Sequence, residues 1–355
     1  MGGVKRFIIN AAHALDADRY DVCILSIGAL EGDTLGLKVD TLLKNPADAL
    51  NLLMAADALQ ARLREMSPDI VHIHGNNGVA LLYAEAAKRA GQVVRVVHSH
   101  NSSLGSDELY KRLADSILKQ LFADAPTARV ACSRLAGDWL FADRPYAILR
   151  NGIDVERFVF SHVDRGAVRD ELGIPRSAAV LVLVGAGIPA KNTRFAIRIL
   201  AELLSRGSNV HLLLVGEGIE SCALRAEVDR AGLSSFSHFV GTVGDVWRYY
   251  SSADVLLMPS RYEGLPIALV EAQANGLPCL VSDVVSSEAD VAGLLRYLPL
   301  GDISEWAHAA CEAAERGFGR DVVSTVVSAK AVRTAGFSLE DLGLQLSELY
   351  KEGGN

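Results

Sequence analysis

Ser260-Arg-Tyr-Glu-Gly-Leu-Pro-Ile-Ala-Leu-Val-Glu-Ala-Gln-Ala-Asn-Gly-Leu-Pro278 follows directly on the apolar run 254–258 (DVLLM), which reads as a buried strand. Pro266 suits the first position of a helix, and Gly276 followed by Pro278 suits its stop, so a helix is expected over 266–275. Two carboxylates, Glu263 and Glu271, stand on either side of that helix start. Between them the first-turn N–H groups, near Ile267 to Leu269, lack intrahelical partners and form a ready anion site. Strand, Gly-Leu-Pro turn and acid-flanked helix together make a seat for a phosphorylated, hydroxyl-rich ligand.

Outward from this stretch the chain alternates short apolar runs with helical patterns, which implies parallel sheets covered on both faces. Strands are expected at 21–27, 69–74, 93–98, 129–132 and 146–149, with helices at 4–15, 47–66, 77–90, 108–122 and 134–141. The pattern restarts with strands at 179–185, 210–215, 237–240, 254–258 and 279–281, and with helices such as 192–206. The stretch 151–176, holding Asn151-Gly152, Gly173 and Pro175, reads as the connection. The fold class is therefore α/β, with two doubly wound, Rossmann-like parallel-sheet domains facing across a cleft. Such sheets bind ligands at their strand carboxyl ends. The expected domains are 1–155 and 156–337, and an amphipathic helix within 338–352 packs back on the first domain. Gly2-Gly3 stands where a doubly wound domain places the turn after its first strand, with only Met1 before it, so that strand is expected to be missing.

At 355 residues the chain has room for two domains; it is half hydrophobic and 22% charged, which argues against disorder. Net charge is −8, which argues against nucleic acid as a partner. Residues 1–155 balance to −1 and the remainder to −7, so the first half is free to carry local basic faces. Cys23, Cys132, Cys222, Cys279 and Cys311 are scattered without a C-x-x-C, which reads as reduced thiols in a cytoplasmic protein. The opening Lys5-Arg6-Phe7 and the apolar residues after it mimic a signal peptide, but Asn10 and His13 interrupt the run, and an amphipathic helix fits better.

Further motifs accompany the opening stretch: VHIHG (71–75), VHSHN (97–101), ACSRLAGDWLF (131–141), RNGIDVERF (150–158), VG…KN (184–192), VGEG (215–218) and ADVLLMPS (253–260). In this order and spacing the chain resembles the retaining glycosyltransferases of family 4, of GT-B fold, and among them the bacterial capsular and exopolysaccharide enzymes. The resemblance implies a transferase that moves a sugar from a nucleoside-diphosphate donor, a UDP-sugar, onto a growing, lipid-linked cell-surface glycan. It implies no metal and no other cofactor. By resemblance Glu263 faces the donor sugar and Glu271 the ribose, while backbone at Gly264, Leu265, Pro266 and Ile267 meets the diphosphate. Acceptor-only carboxylates suit paired hydroxyl donors. Gly185 opens the phosphate loop and Lys191 matches a diphosphate-gripping lysine. Ala186 stands where the family has an arginine, and Arg261 is a candidate to supply that charge. Gly2 and Gly3 let backbone approach the phosphates, although Lys5 replaces the acidic residue usual after them. His100 matches an active-site histidine, so the expected catalytic set is Glu263, His100 and Lys191.

Two alternatives accompany this reading: a nucleotide-sugar 2-epimerase of the same architecture, and a catalytically weak nucleotide-sugar-binding protein or fragment, the latter prompted by Ala186 and the abrupt start. His72/His74 and His98/His100 also invite a metal reading. No cysteine or carboxylate completes a ligand set, so each pair is expected to line a sheet end, both members on one face. Over 108–122, Leu113, Ile117 and Leu121 form one stripe, with Lys111, Arg112 and Lys119 elsewhere. A core-facing helix with a solvated basic side is expected there, and a peripheral membrane-surface face at the inner side of the membrane is the alternative.

Overall fold

The computed structural model describes residues 3–27, 36–43, 49–104 and 108–352. Gly2 lies outside them. The chain divides into two compact units, one comprising Val4–Gly152 with the C-terminal helix and the other Ile153–Ser338.

In the first unit the order is α1 (Gly3–Ala14), β1 (Cys23–Ile27), β2 (Lys38–Leu43), α2 (Ala49–Met66), β3 (Ile70–Gly75), α3 (Gly78–Arg89), β4 (Val94–Ser99), α4 (Leu109–Leu121), β5 (Ala128–Ala131), α5 (Arg134–Phe141) and β6 (Ala147–Ile148). The strands form a parallel four-stranded sheet, β3-β4-β5-β6, and a parallel pair, β1-β2. Side chains of α2 and α3 (Leu59, Leu63, Leu82, Ala86) make a core that also receives Leu25, Leu42 and Val71 from β1, β2 and β3. The β2 strand was not expected from the sequence, because KVDTLL carries charges at two of six positions.

The second unit runs α6 (His162–Glu171), β7 (Ala179–Val184), α7 (Thr193–Ser205), β8 (Val210–Val215), α8 (Cys222–Arg230), β9 (Ser237–Gly241), α9 (Val246–Ser252), β10 (Val255–Met258), α10 (Ile267–Ala274), β11 (Cys279–Ser282), β12 (Leu295–Leu298), α11 (Ile303–Phe318) and α12 (Val322–Thr334). Its six strands are all parallel in the order β12-β11-β10-β7-β8-β9. The strands β7, β8, β10 and β11 are near-continuous apolar runs because both their faces are buried. On one face Leu181, Leu183, Leu212, Leu214 and Leu257 pack with Phe195 and Ile199 of α7 and Trp306 of α11.

The boundary between the two units, at Gly152/Ile153, falls within the expected connection 151–176, and the rest of that stretch is built into the second unit. Ile153 already donates to Phe337 O at 2.8 Å, residues 155–158 form a 3-10 turn, and α6 follows. Arg165 and Arg169 of α6 hold the buried carboxylate of Asp254 at 2.6 and 2.8 Å, tying α6 to the start of β10. The last helix, α13 (Leu339–Glu352), belongs to the first unit and buries Leu342 and Leu346.

The largest departure from the sequence pattern is α4. Its apolar stripe faces solvent and does not enter the core: Leu109, Leu113, Ile117 and Leu121 are 69%, 56%, 54% and 68% exposed. The side it turns inward is the one bearing Asp115, which is buried.

Candidate functional site

The order β12-β11-β10-β7-β8-β9 reverses direction between β10 and β7, so the crossovers leave the sheet on opposite sides there and open a crevice beyond the strand carboxyl ends. Register pairs Val255 with Leu181, which brings the loops after β7 and β10 side by side. The β7 loop carries Lys191 and the β10 loop carries Glu263. Their side chains meet, Lys191 Nζ donating to Glu263 Oε1 at 2.6 Å, both largely buried. Ser260 Oγ donates to the same carboxylate oxygen at 2.7 Å, and Ser282 Oγ reaches Ser260 O at 2.5 Å. The two loops are also joined through backbone, Arg261 N to Ala190 O at 2.8 Å, while the Arg261 side chain is exposed. A charged pair held by this many fixed donors is a preorganised polar site.

Glycine shapes the floor. Gly185 N donates to Val215 O at 2.9 Å, and a Cβ on Gly185 would sit 3.1 Å from the Lys191 side chain. Gly216, at φ +140°, lies against Gly185 so closely that a Cβ there would fall 2.0 Å from Gly185 O. Ala186 occupies the position beside Gly185 and adds no charge to the loop.

Glu271 lies in the second turn of α10, only 6% exposed, and accepts from Tyr250 Oη at 2.8 Å. It is therefore not an exposed dipole-complementing acid. Pro266 precedes the helix rather than occupying its first turn, and Leu269 N is taken by Pro266 O at 3.0 Å, which narrows the anion site expected over 267–269. Gly264, Leu265, Pro266 and Ile267 are all buried at this turn. Ser260 and Tyr250 escaped the sequence reading. Ser260 opens the quoted stretch without being singled out there, and Tyr250 lies 21 residues before its partner with no local signal.

In the other unit the four strand-end histidines form one cluster rather than two pairs. Parallel register sets His74 beside His98, so all four rings share a sheet face. His72 stacks on His74 with centroids 4.3 Å apart, and His98 on His100 at 4.0 Å. Phe7 of α1 covers them, 4.8 Å from His98 and 5.0 Å from His100. His74 Nδ1 and His100 Nε2 share a hydrogen bond of 3.0 Å, and Tyr350 of α13 bonds His72 Nδ1 at 2.9 Å. His98 is fully buried, and neither of its ring nitrogens, nor His72 Nε2, finds a hydrogen-bond partner among the described residues. Burial holds every imidazole in its neutral form, pushing His74 down to about 3 and the others well below the usual range. His72, His74 and His98 bring ring nitrogens within 4.8 Å of one another, a donor set able to hold a metal ion that the sequence spacing alone had not assembled. Gly3 stands at the start of α1, where a Cβ would meet no protein atom within 4 Å.

A family model described as Glycosyltransferase Family 4 matches residues 1–157, and one described as Glycosyl transferases group 1 matches residues 178–316. EpsF of Bacillus subtilis (strain 168), assigned as a glycosyltransferase, is 31% identical over 329 residues, covering 89% of this chain and 85% of its own. The UDP-Gal:alpha-D-GlcNAc-diphosphoundecaprenol alpha-1,3-galactosyltransferase of Escherichia coli is 25% identical over 308 residues, covering 80% and 77%. Among solved structures, Anabaena HepE in complex with UDP and glucose superposes with a TM-score of 0.76 at 20% identity, over 98% of this chain and 95% of that one. That likeness is one of fold, the GT-B arrangement of two Rossmann-like domains.

Proposed function

The chain belongs to glycosyltransferase family 4 and is a glycosyltransferase, and we propose that it moves a sugar, with retention, from a UDP-sugar to a hydroxyl of a lipid-linked cell-surface glycan. Its relatives are transferases, which sets aside the 2-epimerase alternative. The observation that carries the donor assignment is the Lys191–Glu263 pair of 2.6 Å at the switch point of the six-stranded sheet. The uridine nucleotide and the lipid-linked acceptor are supported by what HepE is bound to and by the galactosyltransferase relative.

In this proposal Ile153–Ser338 holds the donor and the unit containing α4 receives the acceptor. Glu271, buried and already accepting from Tyr250, takes a ribose hydroxyl. Glu263 takes a sugar hydroxyl, and Lys191 turns from Glu263 to the departing diphosphate. Gly185 lets the phosphates approach the β7 loop, and backbone over Gly264–Ile267 adds dipoles to theirs. A cation and fixed dipoles in a water-excluded site stabilise the leaving group without a metal. The departing phosphate accepts the proton of the incoming hydroxyl on the same face as it leaves, so configuration is retained and no strong side-chain base is required. Glu263 then positions and stabilises charge. His100, in the other unit, keeps a neutral ring that is donor or acceptor by tautomer.

Incubation with UDP-, GDP- and ADP-hexoses and a lipid-linked acceptor tests this. Release of UDP with an α-linked product from an α-linked donor is expected, at the same rate after EDTA treatment. An inverted anomer, or turnover abolished by EDTA, contradicts it.

A further inference from the structure

The β3 strand carries His72 and His74 two residues apart, and alternation puts both rings on one face of it. Parallel register sets His98 of β4 opposite His74, so a third ring rises from the neighbouring strand on that same face. A His-x-His on one strand with a histidine opposite is a compact way for a sheet to offer three imidazoles to one point. Each of the three has a ring nitrogen within 4.8 Å of the others, and among the described residues no cysteine or carboxylate joins them.

Unmet hydrogen bonding separates this group from an ordinary packed core. A neutral imidazole carries one donor and one acceptor, and burying either without a partner is costly. Both nitrogens of the fully buried His98, and Nε2 of His72, lack a partner among the described residues. The rings are nevertheless held in place. Tyr350 Oη holds His72 Nδ1 at 2.9 Å, and His100 Nε2 holds His74 Nδ1 at 3.0 Å. Phe7, itself fully buried, closes over His74, His98 and His100 with centroids 5.6, 4.8 and 5.0 Å away. When His72 Nδ1–H donates to Tyr350, Nε2 presents a bare lone pair, the form that a metal takes. An oxygen partner on the far nitrogen is also how metal-bound histidines are oriented. One ion satisfies His72 Nε2 and a nitrogen of His98 together, and needs a hydrogen on neither.

We propose that His72, His74 and His98 bind one zinc ion, with a water in the fourth tetrahedral position. Imidazoles without a carboxylate suit zinc and its transition-metal neighbours rather than magnesium or calcium. Zinc–nitrogen bonds of about 2.0–2.1 Å require the three rings to draw together by about 1 Å on binding. The ion ties β3 to β4 and, through Tyr350, fixes α13 against them; His100 stays outside the ligand set and orients His74. All of these residues belong to the first unit, whereas Lys191 and Glu263 belong to the second. The ion therefore has no part in stabilising the leaving diphosphate, and the proposal does not rest on the donor assignment.

The test is elemental analysis of the full chain, without a histidine tag, expressed in zinc-supplied medium and gel-filtered. About one zinc per chain is expected. Protein expressed with cobalt instead is expected to show the intense visible bands of a tetrahedral nitrogen site, a readout that needs no variant. His72→Gln with His98→Gln is expected to lower bound metal by at least about tenfold, and Tyr350→Phe to weaken retention against a competing chelator by about tenfold. Calorimetry with UDP on these variants is expected to match the wild type, which separates loss of the metal from failure of the donor site. A wild-type chain with neither bound zinc nor cobalt bands overturns the proposal and leaves buried water as the partner of these nitrogens. So does full metal content in the His72→Gln/His98→Gln variant, since other groups then hold the ion.

Discussion

The two units each place polar side chains at the carboxyl ends of adjacent parallel strands, and they do so in opposite electrostatic styles. Beyond β7 and β10 a lysine and a glutamate meet within a lattice of fixed donors. Toward the ends of β3 and β4 four neutral imidazoles stack under a phenylalanine, with both ring nitrogens of His98 and Nε2 of His72 unpartnered among the described residues. The topology explains the contrast. In the order β12-β11-β10-β7-β8-β9 the chain reverses beside β7 and leaves a crevice, whereas β3-β4-β5-β6 follows chain order and has no such reversal within it. A phosphate-bearing ligand is therefore assigned to the charged end. The histidine end offers neutral hydrogen-bonding rings, suited to uncharged hydroxyls.

The sharpest way to break this contrast is Lys191→Ala, which is expected to lower kcat/KM for transfer by about 10²–10³, with Lys191→Arg recovering part of it. A loss confined to KM would move Lys191 from leaving-group stabilisation to simple binding. Next, Glu271→Gln is expected to weaken UDP by about tenfold or more, because a charged acceptor contributes roughly 1.5–3 kcal/mol to a buried hydrogen bond. Isothermal calorimetry reads this, and unchanged affinity removes Glu271 from the donor site.

The histidine cluster makes its own prediction in the acid range. Each ring titrates lower folded than unfolded, so the unfolded chain binds more protons below about pH 6.5. Stability is then complete above that pH and falls as pH drops toward about 3, the range of His74. The slope is about 1.4 kcal/mol per pH unit for each imidazole still neutral in the fold. Urea titrations across this window are expected to show a shallower acid limb for His98→Leu than for wild type; parallel limbs would mean that His98 titrates normally. The smallest effect is that of Tyr350→Phe, which removes the hydrogen bond to His72 and is expected to cost about 0.5–1.5 kcal/mol in the same titrations.

The sequence showed what local chemistry determines and missed what tertiary packing determines. The runs over 179–184 and 210–215 are readable as strands because burial on both faces removes their polar residues. Glu263 and Glu271 stand out because a Gly-Leu-Pro turn and a helix stop frame them. By contrast, α4 has the periodicity of a core helix, and non-local contacts, Asp115 with Gly78 37 residues away and Lys119 with Trp139, turn its stripe outward. The Tyr250–Glu271 and Tyr350–His72 bonds are likewise non-local, and within the connection 151–176 the glycines and proline masked the short α6.

The central assignment is that Lys191 and Glu271 line one donor site at the switch point of the six-stranded sheet. Calorimetric titration of UDP into wild type, Lys191→Ala and Glu271→Gln tests it most directly, with thermal unfolding of each as the fold control. One site in the wild type, weakened about tenfold or more in each variant at similar melting temperature, is the expected result. Equal affinity in all three would contradict it.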